Sequence, residues 1–302
     1  MNKFFTLAFL LLATIGANAQ DDLMKELEKN QKPETNYVSQ TFRGTRIING
    51  QSVETKGKGE LEFIFSHRFG RINTGAYNLF GLDGNDGINV RLGLEYGISD
   101  RLSVAIGRSS VFKDYDAYFR YKLVNQSSGT KNFPVTITAI ATVVYRGFPN
   151  AADASQASIP LPSTGDRMGY VVEVPIARKF SSKFSAQVTP VFVHRNAVDK
   201  NYENNDDYAV GVAARYKVTR SLSLIGEYYS RMNAHANTPY YNSAGLGFDI
   251  ETGGHVFQVV FTNSLGLNSR TVITETGGDL NKGDVRFGFN ITRTFQLTKR
   301  KQ

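Results

Sequence analysis

The sequence predicts an all-β fold, a transmembrane antiparallel up-and-down β-barrel of about twelve strands, preceded by a short N-terminal periplasmic segment. Three observations predict it. The chain opens on an export signal, its residues alternate apolar and polar with period two from about residue 59 onward, and short connections between the runs alternate with long ones. Composition alone gives no such answer. With 41% hydrophobic residues and a mean hydropathy of −0.29 the chain resembles a soluble protein. Helical membrane spans, at about 20 consecutive apolar residues each, are excluded. The absence of Cys removes disulfide frameworks, thiol catalysis and Cys-ligated metals.

Residues 1–19 read as a secretory signal peptide. Lys3 supplies the positive start, Phe4 to Ile15 the apolar stretch, and Ala17-Asn18-Ala19 the small-residue cleavage site. No Cys follows, so a lipoprotein is excluded. Export also disposes of nucleic acid as the partner for the net charge of +8. Residues 20–58 form the N-terminal segment, polar at 21–36 with one short helical pattern ended by Pro33. Residues 37–58 are expected either as a plug inserted in the barrel or as a periplasmic extension. The barrel itself is expected over 59–298, and 299–302 form a basic tail.

The clearest strand is 88–98, where Ile88, Val90, Leu92, Leu94, Tyr96 and Ile98 share one face. Eleven further runs repeat the pattern: those of Leu61/Phe63/Phe65, Leu102/Val104/Ile106, Tyr115 to Leu123, Val135 to Tyr145, Tyr170 to Ile176, Phe184 to Phe192, Tyr208 to Val218, Leu222 to Tyr228, Ala244 to Ile250, Phe257/Val259/Phe261 and Val285 to Ile291. None of these apolar faces carries a charge. The opposite faces carry six carboxylates (Glu62, Glu95, Asp116, Glu173, Glu227, Asp249) and six basic groups (Arg91, Arg120, Lys122, Arg215, Lys217, Arg286). These twelve are the expected lumen-lining residues, and their near balance predicts a nearly neutral lining. Buried charges need partners, so they are expected either to pair across neighbouring strands and fill a narrow lumen or to line a small watery pore.

The connections separate a membrane barrel from a soluble sandwich. Residues 99–101, 180–183, 219–221 and 252–254 are tight turns, whereas 69–87, 146–167, 195–207, 233–241 and 264–283 are long. Outer-membrane barrels have short periplasmic turns and long extracellular loops. The pair 112–114 and 125–133 breaks the rhythm. Tyr96, Tyr115, Tyr145, Tyr170, Tyr208, Tyr216 and Tyr228 stand near strand ends, as aromatic girdles do. The expected partners are outer-membrane lipid and the barrel assembly machinery, which would read the aromatic last strand with Phe287, Phe289 and Phe295, together with a small solute. No cofactor is expected.

Thr41-Phe42-Arg43-Gly44-Thr45-Arg46-Ile47-Ile48-Asn49-Gly50-Gln51-Ser52, then Gly59-Glu60-Leu61-Glu62-Phe63 and Ser66-His67-Arg68-Phe69-Gly70, resemble an uncharacterised family of Gram-negative outer-membrane β-barrels, a domain of unknown function. The resemblance implies the fold and the location. It implies no substrate and no catalytic residue.

Chemistry beyond the barrel is thin. His67 and His255 share the lipid-facing parity that a lipid hydrolase would need, but Ser66 points opposite to His67 and cannot be its nucleophile. Gly81 to Gly87 and Asp199 to Asp207 are oxygen-rich without the ligand spacing of a calcium loop. The expectation is a non-enzymatic barrel that passes small solutes through a narrow pore or organises the envelope. The alternatives are a lipid-active enzyme and a soluble exported ligand-binding β-barrel.

Overall fold

A computed structural model describes residues 34–80, 87–147, 150–152, 158–160 and 163–298. The signal peptide, most of residues 81–87 and the basic tail lie outside them.

Twelve strands close into one antiparallel barrel. They are β1 (Glu60–Arg71), β2 (Asn89–Gly97), β3 (Leu102–Ser109), β4 (Tyr115–Val124), β5 (Thr136–Tyr145), β6 (Met168–Glu173 continued by Ile176–Lys179), β7 (Phe184–Arg195), β8 (Asp206–Lys217), β9 (Leu222–Arg231), β10 (Ser243–Thr252), β11 (His255–Thr262) and β12 (Arg286–Gln296). Each pairs with its sequence neighbours, and β12 pairs with β1, from Arg286↔Arg71 to Gln296↔Glu60. Closure leaves no edge unpaired, which is what a sheet in hydrocarbon requires. The two pieces of β6 flank Val174-Pro175. Pro lacks the N–H a ladder needs, but the strand resumes because Val174 N–H donates to Pro190 O and Thr138 N–H to Pro175 O.

Burial alternates along every strand. Arg68, Arg91 and Arg120 are fully buried inside, whereas Ile106 and Leu246 are more than 60% exposed outside. The protein is thus apolar outward and charged inward. Among the described residues no helix is long and apolar enough to cross a membrane; the crossing is made by strands.

Four of the five turns at one end are tight, for a reason readable in their residues. Ser99, Ser181 and Thr219 each accept, through the side-chain oxygen, the N–H of the residue three positions on, at 3.0–3.1 Å. Between β10 and β11, Gly253 and Gly254 take φ of +44° and +101°, open to glycine without strain. The break in the loop rhythm also has a cause. The β4–β5 connection lies at this turn end and is long because Ser127–Gly129 pairs with Thr35–Tyr37 of the N-terminal segment.

Polarity of the outer face is testable. Val212, halfway along β8, and Val218, at its turn end, both face outward. Val212→Arg should cost about 2–4 kcal/mol and Val218→Arg about 0–1 kcal/mol, the depth dependence of a lipid-facing arginine. Equilibrium unfolding from vesicles in guanidinium chloride measures both.

Candidate functional site in the lumen

Residues 41–53 enter the barrel and are buried, apart from half-buried Arg43, in its interior. They form a β-hairpin. Ile47 N–H donates to Gly50 O at 3.0 Å, Ser52 N–H to Thr45 O at 2.9 Å, and Arg46 bridges to Gln51. Ile48 and Asn49 form its tip, closed by the Ile47–Gly50 pair. Gly50 has a steric reason to be glycine: a Cβ there would lie 1.8 Å from the Tyr229 hydroxyl.

A two-stranded hairpin exposes backbone polar groups on both edges, and inside a barrel water does not serve them. Wall side chains do. Glu227 accepts three consecutive N–H groups at the tip, from Ile48 (3.1 Å), Asn49 (2.7 Å) and Gly50 (3.1 Å). The tip therefore acts as an anion-binding nest, with the anion supplied by β9. Arg120 donates to the carbonyls of Ser52 (2.6 Å), Glu54 (2.8 Å) and Thr45 (3.3 Å) and to Gln51 Oε1 (2.6 Å). Arg68 donates to Ile48 O (3.2 Å) and Asn49 Oδ1 (2.9 Å). Gln187 accepts from Val53 N–H and donates to Gln51 O, Gln258 donates to Ile47 O, and Asn290 to Ile48 O, at 2.7–3.1 Å. Phe42, Ile47, Ile48 and Val53 add an apolar patch against Ala177, Ile225 and Val260.

The other end is filled by the β11–β12 loop. Its helix α1 (Ser269–Thr274) is wholly buried and capped by Asn268, whose side chain accepts from Thr271 N–H at 3.0 Å. Val272 and Ile273 pack on Val171, Val191, Val193, Ala209 and Tyr229. Glu275 binds Arg146 (2.6 Å) and Arg270 (3.2 Å), and Arg146 also meets Asp114 (3.3 Å) while lying 4.2 Å above the Phe112 ring. Hairpin and loop meet where Arg46 donates to Leu267 O at 3.5 Å. Above the loop a cavity of about 430 Å³, lined by Asn89, Ser109, Asp114, Thr271 and Glu275, opens at the loop end.

The twelve sequence-selected residues are placed as follows. Glu62, Arg91, Glu95, Asp116, Arg120, Glu173, Arg215, Glu227, Asp249 and Arg286 are buried; Lys122 and Lys217 are half-buried. Arg91 pairs with Asp116 (2.5 Å), Arg120 with Glu95 (3.2 Å) and Arg215 with Asp249 (3.8 Å). Glu62, Glu173 and Glu227 turn to the filling. Glu62 binds Lys56 and Thr45, and Glu173 accepts from Ser269 at 2.6 Å. Arg286 donates to the carbonyls of Phe69 and Gly87.

Arg68, Gln187, Gln258 and Asn290 escaped the sequence reading, although Arg68 shares the inward parity of Glu62. The signal that finds them is that parity, applied to amides as well as charges. The carboxylates of the 199–207 loop are spoken for: Glu203 and Asp207 bind Arg195 at 2.6 and 2.8 Å. Among the described residues no cluster of His, Asp and Glu fits a metal ion. On the outer face His67 lies among aromatic rings, 4.2 Å from Phe69 and 5.4 Å from Phe289, and His255 stacks on Phe257. His194 holds Asp206 at 2.6 Å, but its nearest outward neighbours are Tyr170, Phe192 and Tyr208, none of them a serine.

A family model described as "Membrane bound beta barrel domain (DUF5777)" matches residues 42–295. Comparison with curated proteins gives no match. Similar solved structures include the NanC porin (TM-score 0.47, 9% identity, 78% of this chain and 100% of that one) and the KdgM porin (0.46, 9%, 78% and 99%). A third is the COG4313 outer membrane channel from Pseudomonas putida F1 (0.45, 12%, 80% and 98%).

Two predictions test the site. Glu227→Ala leaves three buried N–H groups without an acceptor and should weaken hairpin seating by about 3 kcal/mol. A thiol placed at Ser52, fully buried and in a chain without Cys, reports it. Its maleimide labelling should be slow in the parent and about 100-fold faster with Glu227→Ala. The second concerns acid. Burial would raise the Glu275 carboxyl, but Arg146, with Arg270 and Arg195, holds it down to about 2 from 4.5. A lowered folded value gives stability that is complete above pH 4.5 and lost as pH falls toward 2. The β11–β12 loop should resist pepsin at pH 4 and yield near pH 2, and Glu275→Gln should remove that dependence. Mass spectrometry of the fragments reads the result.

Proposed function

Because the chain belongs to the family of membrane-bound β-barrel domains, we propose that it is an outer-membrane small-solute pore held shut by its own N-terminal hairpin. The observation that carries this reading is the way the hairpin is held. Its contacts with the wall are noncovalent and mostly polar, from Glu227, Arg120, Arg68 and three amides. Each has a replacement in water, so withdrawal exchanges hydrogen bonds rather than leaving them unmade. The hairpin leads directly into β1 at the turn end. It therefore leaves toward the periplasm without unpairing a barrel strand.

The charges that face the hairpin, Glu62, Glu227, Arg68 and Arg120, are the lining this withdrawal uncovers. Two acids against two bases give weak ion preference. At the loop end the β11–β12 loop, with α1 wholly buried, also fills the lumen and would have to shift for a solute to pass. Outer-membrane lipid and the barrel assembly machinery are the partners this reading assigns to the outer face and to the last strand. A lipid-hydrolase role gains no support from His67 or His255, both stacked on aromatic rings.

Planar-bilayer recording tests the proposal. The parent should be closed for most of the record, and a Glu227→Ala protein should show frequent discrete openings of weak ion selectivity. A protein silent in both forms would leave the barrel a structural element of the envelope and overturn the pore.

A further inference from the structure

The outer face carries a feature the lumen does not explain. At its loop end a groove of about 630 Å³ runs across β2 to β6. Strand register accounts for its shape. One outward row runs Leu92, Arg108, Tyr115, Tyr145, Met168, each side chain beside the next on a neighbouring strand. The next row toward the turn end runs Leu94, Ile106, Ala117, Val143. Ala117, between Ile106 and Val143, is the short side chain that makes the hollow. The groove walls are almost wholly hydrocarbon, and Arg108 is the charged side chain at its outer rim.

Arg108 is out of place on this face. An arginine facing lipid is costly unless it reaches the headgroup layer. It is exposed, and among the described residues it forms no ion pair; its guanidinium carbon lies 5.4 Å from the Tyr115 ring. Two strands along the row, Arg167 donates to the hydroxyl of the lining residue Tyr145 at 3.2 Å. Arg178 and Arg293 also lie over rings of the outer face, those of Phe180 and Phe295, but at the turn end and away from the groove. An apolar trough ended by a guanidinium fits a molecule with acyl chains and an anionic head. The guanidinium fork matches phosphate oxygens in pairs.

We propose that this groove is a binding site for one phosphorylated lipid of the outward-facing leaflet, its chain over Ala117 and its phosphate on Arg108. The site stands apart from the lumen and does not depend on the pore reading.

Diphosphorylated lipid A, titrated into the full-length protein in detergent micelles and counted by native mass spectrometry, tests it. One copy should bind saturably. Arg108→Gln should weaken binding at least tenfold, and Arg108→Lys, which keeps the charge and loses the fork, should fall between. Ala117→Phe, which fills the hollow, should weaken it as well, while Arg293→Gln leaves it unchanged. Heat-modifiable gel mobility verifies that each variant has folded. Equal binding by the parent and Arg108→Gln, or equal binding of lipid A stripped of its phosphates, would overturn the site.

Discussion

The structure depends on one constraint: charges and backbone polar groups enclosed by a barrel need partners. Eight strands leave an interior that wall side chains can fill, and porins of 16–18 strands leave an aqueous channel. Twelve strands fall between. Side chains from opposite walls do not close the gap here, and the charges on them cannot be left bare in a narrow space. A hairpin resolves both problems. Its volume fills the centre, and its backbone supplies the carbonyls that Arg120 and Arg68 require and the N–H groups that Glu227 requires. The inward loop does the same at the other end through Ser269, Arg270 and Glu275.

The wall charges consequently divide into two sets. Arg91–Asp116 and Arg215–Asp249 pair with each other within the wall. Arg120 does both, binding Glu95 on the wall and four acceptors on the hairpin. It is the residue through which wall and filling are coupled. Glu95 is held in turn by Ser103 (2.6 Å) and Tyr118 (2.8 Å), so wall residues alone fix the carboxylate that Arg120 pairs with. Groups held this way lower the cost of seating the hairpin.

The barrel was legible in the sequence because its physics is local. Alternation in β2 or β8 and the serine and threonine turns are read from neighbouring residues. That the short turns share one end of the barrel follows from the same rhythm. For the filling, the sequence offers residues 37–58 both as a plug and as a periplasmic extension without choosing between them, and it names none of the contacts. Thr41 to Ser52 has no alternation of its own, and its partners Glu227, Asn290 and Arg120 lie 68 or more positions from the residues of it that they bind. Pairing of that kind is decided by closure of the barrel, which no window of sequence contains. Charge counting found Arg120 and Glu227 yet passed over Gln187, Gln258 and Asn290, because an amide carries no charge to count. The long β4–β5 turn looked irregular until its pairing with Thr35–Tyr37 gave it a reason.

Residence of the hairpin in the lumen is the claim on which the rest turns. Asn49 Nδ2 lies 3.0 Å from Thr262 Oγ1 on β11. The chain has no native Cys to compete. Asn49→Cys with Thr262→Cys, oxidised in intact outer membranes and resolved by non-reducing gel mobility, tests the contact directly. Rapid formation of an intramolecular disulfide is the result this account predicts. Two thiols that stay free and both react with a maleimide added from the periplasmic side would contradict it.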